Sequence, residues 1–272
     1  TTTIYTISLH DALPISRALL FITNQTEKMC INAVEREPLL LKYVNSQTEE
    51  ICIAAVGHSK YALQYVIEQT ERMCEIAIEN DVMAMQYITL QTPEICMKAV
   101  KKCVHTLEYI KEQTPELCME AVRQNGFALE YVKEQTPELC IAAVQQSGFA
   151  LMYVIDKTPE ICLAAAMNEY WALHYIIEQP PEMCMLAIMQ DCCALKYVKE
   201  QTYEICLATV RHDVEGVRYI RDDAILNEIC NEIPECKDVL REYGQILRLN
   251  ISQTPEICIA AVRQCGLALQ YV

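Results

Sequence analysis

Cysteine is the residue whose number and spacing in this chain most invite a chemical reading. Of 16 cysteines, Cys30, Cys52, Cys74, Cys96, Cys118, Cys140, Cys162, Cys184 and Cys206 stand 22 residues apart. Cys236 and Cys258 repeat that spacing after a slip of 8 residues. Such a column could be a ladder of metal ligands or redox thiols, and geometry argues against both. Successive members of a helical repeat sit one packed layer apart, about 8–10 Å. Zinc needs sulfurs at about 2.3 Å from one ion, and a disulfide needs Cα atoms within about 7 Å. The column therefore reads as small buried hydrophobes. Cys103, Cys192, Cys193, Cys230 and Cys265 lie in other columns and form no C-x-x-C pair, so we assign no metal and no cofactor. So many unpaired thiols imply a reducing, intracellular compartment such as the cytoplasm.

Thirteen residues beyond the column cysteine stands a tyrosine, from Tyr43, Tyr65 and Tyr87 through Tyr219 and again at Tyr271. These rings could form a stacking ladder for a ligand. The reading we favour is packing between layers, each hydroxyl reaching the Gln-Thr link that follows. His58, His105, His174 and His212 fall in no recognisable nucleophile motif, and there is no phosphate-binding glycine loop, H-E-x-x-H or calcium loop. No catalytic residue is assigned, and the chain reads as non-enzymatic.

Two features could carry binding. The first is the column nine residues after the cysteine, which includes Tyr61, Met83, His105, Phe127, Phe149 and Trp171. It mixes large apolar and aromatic side chains inside otherwise uniform repeats, as a recognition stripe would; less constrained packing is the competing reading. The second is an acidic edge, in which Glu112, Glu134 and Glu178 close one set of helices and Glu116, Glu138 and Glu182 open the other. It could receive a basic segment, or it could be a solvated edge whose carboxylates favour helix N-termini.

The elements that position these columns follow from one unit, residues 135–156. Thr136 suits an N-cap, Pro137 the first helical position and Glu138 the first turn. Leu139, Cys140, Ala143 and Val144 then share one helical face. Ser147 can cap a second helix, as can Ser59, Asp81, Asn125, Asp191 and Asp213 elsewhere, and Ala150, Leu151, Tyr153 and Val154 form its apolar face. Helices of about nine or ten residues are unstable alone, so neighbouring units must stack. The fold class is all-α, an α-solenoid of 22-residue helix–turn–helix repeats.

We expect the solenoid over residues 17–272, with regular repeats at 25–222, an irregular segment at 223–252 and a final truncated repeat at 253–272. Residues 1–16, TTTIYTISLHDALPIS, resemble a translated sequencing adapter and are set aside as an artefact. Units such as TPELCIAAVQQSGFALMYV resemble the repeats of the domain-of-unknown-function 4116 family, whose core runs V-L-x-A-V-x-Q-x-G-x-A-L-x-Y. The glycine of that pattern is kept in only three units here. The resemblance implies a repeat architecture and no established activity.

A net charge of −15, with 37 acids against 22 bases, points away from nucleic acid. No apolar run approaches the ~20 residues of a membrane helix. The expected function is a protein–protein interaction scaffold for a protein or peptide, a basic one matching the acidic surface. The alternative is a structural rod or spacer within a larger protein.

Overall fold

A computed structural model of the chain describes residues 19, 22–243, 245–249, 255–264 and 266–271. The adapter-like residues 1–16 lie outside the described residues, as do Cys265 and Val272. Among the described residues there are helices and no strands. The chain is an all-α solenoid whose repeats recur every 22 residues.

The twelve α-helices and eleven 3₁₀ segments among the described residues need few rules to explain them. In the first half come α1 (Glu27–Arg36), α2 (Glu49–His58), α3 (Glu71–Asn80), α4 (Pro93–Lys102) and α5 (Pro115–Gln124). Then follow α6 (Pro137–Gln146), α7 (Pro159–Asn168), α8 (Pro181–Ile188) and α9 (Tyr203–His212). After each comes a six-residue 3₁₀ helix ending on the column tyrosine, as in Gly148–Tyr153. The second helix is thus a short 3₁₀ helix and not the α-helix of nine or ten residues expected from sequence. Its buried residues explain why. Gly148, Leu151 and Val154 recur every third residue, and three residues per turn puts them on one side. The α-helices bury pairs instead, such as Leu139 and Cys140 with Ala143 and Val144, the stripe of a 3.6-residue period.

The helix ends are built by the expected residues. Thr48, Thr70, Thr92, Thr136, Thr158 and Thr202 each accept the N–H of the third helical residue. Each such cap contributes about 0.5–2 kcal/mol. One extended residue then ends the α-helix and starts the 3₁₀ helix: the Ser147 N–H donates to Ala143 O, and Ser147 O accepts from Ala150. The carboxylates of Asp81, Asp191 and Asp213 cap the 3₁₀ helices as foreseen, whereas Ser59 and Ser147 make no side-chain cap.

Two compact units divide the chain, Thr1–Gln124 with Tyr131–Lys133, and Asn125–Glu130 with Glu134–Val272. Within the first, α1 to α5 pack side by side, and the 3₁₀ helices from Pro38–Tyr43 to Val104–Tyr109 form a second row. Within the second, α6 to α9 do the same opposite the 3₁₀ helices from Gly148–Tyr153 to Val214–Tyr219. The core lies between the rows, where the inward Ala, Val and Leu side chains are almost wholly buried. The closest approach falls at Gly126, where a Cβ would stand 2.5 Å from the Ala143 carbonyl oxygen; no side chain fits there.

The register change after Asp222 is helical. Here α10 (Asp223–Glu232) begins at 223, where strict repetition would start it at 225, and α11 (Cys236–Glu242) packs against the 3₁₀ helix Val214–Tyr219. A second-row helix has become α-helical. A short 3₁₀ turn, Ile246–Arg248, and then α12 (Pro255–Gln264) and the 3₁₀ helix Gly266–Tyr271 follow. Cys236 shares the cysteine spacing but opens α11, and Leu226, buried at the fourth position of α10, takes the column's place.

What ties one repeat to the next is a glutamine that sequence reading passed over as part of a polar link. Gln113 donates from Nε2 to Leu107 O at 2.9 Å and, one repeat on, to Tyr131 O at 2.9 Å. Its Oε1 accepts the Lys133 N–H at 2.9 Å and the Cys118 thiol at 3.8 Å. Gln47, Gln69, Gln135, Gln179 and Gln201 repeat the donations to both carbonyls. Gln113→Leu removes these bonds and strands half-buried carbonyls. At 0.5–1.5 kcal/mol per bond, it should lower unfolding free energy by about 2–4 kcal/mol. Urea denaturation monitored by circular dichroism measures this, and a change under 0.5 kcal/mol would remove the glutamine from its structural role.

Candidate interaction face

Because the third and fourth residues of each 3₁₀ helix turn inward, the second, fifth and sixth are left on its outer side. The second is the variable column and the sixth is the tyrosine. Within each unit the structure brings them together as a stripe: the variable side chain of one repeat meets the tyrosine ring of the next. In the first unit Tyr61 lies 5.6 Å from Tyr87 and His105 lies 5.3 Å from Tyr131, between ring centroids. In the second, Phe127 lies 6.1 Å from Tyr153 and Phe149 lies 6.5 Å from Tyr175. Phe149 also meets Trp171 edge-on at 4.2 Å, and Tyr170 adds a ring 6.2 Å from Tyr197. Edge-to-face pairs of this kind contribute about 0.5–1.5 kcal/mol beyond burial.

The variable column is therefore largely on the surface. Tyr61 is 48% exposed, Phe127 38% and Trp171 40%; His105 is also exposed, and Met83 and Phe149 are half-buried. The tyrosines depart from expectation. From Tyr65 to Tyr219 they are half-buried, and the glutamine link reaches their main-chain carbonyls, where a hydroxyl contact was foreseen. The Tyr153 hydroxyl faces Glu130 instead, and burial together with that carboxylate pushes it above its ordinary range.

The six glutamates of the acidic edge, Glu112 and Glu116 in the first unit and Glu134, Glu138, Glu178 and Glu182 in the second, are all exposed. The neighbouring lysines do not neutralise them by pairing. Lys133 Nζ donates to the carbonyls of Ile110 and Lys111, and Lys199 Nζ to that of Ile177. Two residues that sequence reading missed stand on this edge. Ile155 and Ile177 are 79% and 81% exposed, in the column that holds Lys111, Lys133 and Lys199 in nearby repeats and a third exposed isoleucine, Ile67, in the first unit. Isoleucines interrupting a largely polar column were the available signal. Ile177 and Glu178 border an open depression of about 340 Å³ with Lys157, Pro159 and Met183.

The cysteines of the column are free and, through Cys206, buried. The thiols of Cys30, Cys52, Cys74, Cys118 and Cys140 donate to a glutamine Oε1, Cys52 to Gln47 at 3.6 Å, whereas those of Cys162 and Cys184 donate to the main-chain oxygens of Lys157 and Gln179. Burial pushes Cys52, Cys74 and Cys206 up to about 11. Among the described residues, one group could offer a metal three donors within 4.8 Å of one another, namely Asp191, Cys192 and Cys193. Each donor is already engaged. Asp191 Oδ1 accepts the Cys193 N–H at 2.7 Å, and the Cys193 sulfur lies 3.2 Å from the Tyr219 hydroxyl. The Cys192 thiol is pushed up to about 12, by burial first and then by the Asp213 carboxylate to which it is hydrogen-bonded. Asp191 caps the 3₁₀ helix, and the Cys193 and Cys192 thiols are held in hydrogen bonds beside it.

These thiols have a measurable consequence. A folded state that holds thiol protons beyond their ordinary value of 9.0 is favoured below that pH, and the advantage is lost as pH rises toward about 11. The melting temperature should fall over that window. A Cys52→Ala, Cys74→Ala, Cys206→Ala variant should show a shallower fall than the parent chain. Identical slopes in calorimetric scans from pH 8 to 11 would mean that the column thiols titrate as in water.

No helix among the described residues is long and apolar enough to cross a membrane. Neither the curated proteins nor the solved structures yield a match to the chain. The family model described as "Domain of unknown function (DUF4116)" matches residues 92–136 and again 114–157. The two matches begin one 22-residue repeat apart, so the family unit and the structural repeat share a period. The matched stretch is consistent with a repeat protein of DUF4116 type, the family that the sequence motif resembles.

Proposed function

We propose that the chain is a non-enzymatic scaffold that holds a protein or peptide partner on the aromatic stripe of its 3₁₀ helices. The observation that carries this reading is the exposure of Tyr61, Phe127 and Trp171 in a column whose residue type changes from repeat to repeat. The alanine, leucine and cysteine columns are spent on the core, and this one is left to vary on the outside. Aromatic side chains of this kind dominate the energetics of protein interfaces. The acidic edge assists by attracting basic segments at long range, and the net charge of −15 disfavours nucleic acid as the partner. Protonated, unpaired thiols suit a reducing compartment.

The test is affinity capture from a cell lysate at low and high salt, with the chain and a Phe127→Ala, Phe149→Ala, Trp171→Ala variant as baits. A salt-resistant partner that the variant loses, with the variant's helicity intact by circular dichroism, is the expected result. A partner released by salt and kept by the variant would move binding to the acidic edge. Absence of any specific partner in both conditions would leave the chain as a spacer.

A further inference from the structure

Cations are treated differently from repeat to repeat. In some repeats of each unit the chain lays its own cations on its tyrosine rings. In the first unit Lys42 Nζ stands 4.7 Å from the Tyr43 centroid, and Lys60 Nζ 5.5 Å from that of Tyr61. In the second, Lys196 lies 5.8 Å from the Tyr197 ring, and the Arg218 guanidinium lies 4.7 Å from Tyr219 and 4.4 Å from Tyr243. Three of these cations, Lys42, Lys196 and Arg218, come from the residue just before the tyrosine. In the repeats between, that position in the second unit holds Glu130, Met152 and His174. Among the described residues, no lysine or arginine lies over the rings of Tyr153 and Tyr175.

That same stretch is locally negative. Glu130 is exposed and faces the Tyr153 hydroxyl. Asp191 raises the Tyr170 hydroxyl, after burial. Glu169 Oε2 is buried without a hydrogen-bond partner, within contact of a Cβ built on Gly148. The ring faces are where this molecule seats cations elsewhere, and here the surrounding charge favours a cation that the chain does not provide.

We infer that residues 127–175 of the stripe take an extended, arginine-bearing segment of a partner protein, guanidinium groups lying on the Tyr153 and Tyr175 faces with Glu130 as an ion partner. The inference rests on the reading of the stripe as the partner face and names the chemistry of what it holds. Guanidinium suits the site better than ammonium, being planar, weakly hydrated and able to stack on a ring while pairing with a carboxylate. The spacing is also set. Packed layers repeat at about 8–10 Å, and an extended segment of polyproline-II form rises about 3.1 Å per residue with three residues per turn, so one repeat matches three residues of peptide on one face. Arginines at every third position would meet equivalent rings.

Trp171, the single tryptophan of the chain, lies within the stripe and reports on it directly. The full chain is titrated with four twelve-residue Gly/Ser-based peptides while Trp171 fluorescence is followed. One carries arginine at every third position, one lysine there, one leucine there, and one the same arginines in an unbroken run. The expected result is a saturable Trp171 change, tightest with arginine at every third position. Glu130→Gln and Tyr153→Leu should each weaken that binding about two- to fivefold, the range of one exposed cation–π contact, with helicity intact by circular dichroism. If the leucine peptide binds as tightly and Phe127→Ala abolishes the response, the stripe is a partner face but the arginine inference fails. If lysine or clustered arginine binds equally well and Tyr153→Leu has no effect, the attraction is general charge and the inference is overturned. If the arginine peptide binds with Trp171 silent and Phe127→Ala without effect, the stripe itself is not where it docks. No binding by any peptide overturns the inference as well.

Discussion

An amide side chain has two protons to give and one oxygen to receive with, and at the joints where a glutamine stands between these repeats all three are committed. The glutamine before the helix cap bonds the end of one 3₁₀ helix and the end of the next, while its oxygen also takes the buried thiol beneath it. The spacing of successive 3₁₀ helices is thereby fixed at their exits, where no regular ladder of backbone bonds exists to fix it. The ring contacts of the stripe depend on that spacing, because the tyrosine of one repeat must arrive over the variable residue of the last. Residue 157 shows what happens without the amide. Lys157 turns its ammonium to Val154 O, and the Cys162 thiol is left to the main-chain oxygen of Lys157. The next cap is lost too: Pro180 replaces threonine ahead of α8, which is two residues shorter than its neighbours, with eight in place of ten.

The division of labour between columns follows from the 3₁₀ geometry. With three residues per turn, positions one and four of the Gly148–Tyr153 helix face inward, and positions two and five face outward. Ala150 and Leu151 are fully buried, while Phe149 beside them is half-buried and Met152 is 48% exposed. Side chains can thus change on the outside without disturbing close-packed alanines and leucines on the inside. The same short turn explains why the cysteine column is chemically quiet. Each thiol sits in the first-row helix, hydrogen-bonded and desolvated, one layer from the next, so that neither pairing nor ionisation is favoured near neutral pH.

Much of this was legible in the sequence. The 22-residue spacing of cysteine and tyrosine gave the repeat, and threonine followed by proline and glutamate gave the start of each α-helix. The second helix was misjudged because alanine and leucine fit either helical period; the third-residue recurrence at 148, 151 and 154 is the mark that separates them. The tyrosines were assigned inward because regular recurrence resembles burial, yet a residue can recur because its ring completes a surface contact between repeats. The glutamine was overlooked because a polar residue in a link looks like solvent-facing filler. Its appearance at 25, 47, 69, 91, 113, 135, 179 and 201 carried the information. The stripe was found as a list of side chains, but its interleaving with tyrosines depends on contacts 26 residues apart, which no local pattern displays.

Identical joints also bear on how such a gene can change. Unequal exchange between neighbouring copies adds or deletes one whole unit in frame, and each surviving boundary then meets the same partner groups it had before. Growth or shrinkage by a unit is therefore a small structural event, and selection can act on reach and on the order of outer side chains almost independently of foldability. Insertions of any other length carry no such exemption. Residues 223–242, where α10 starts two residues out of phase and α11 stands in for a 3₁₀ helix, show the remodelling that one departure from the unit length entails.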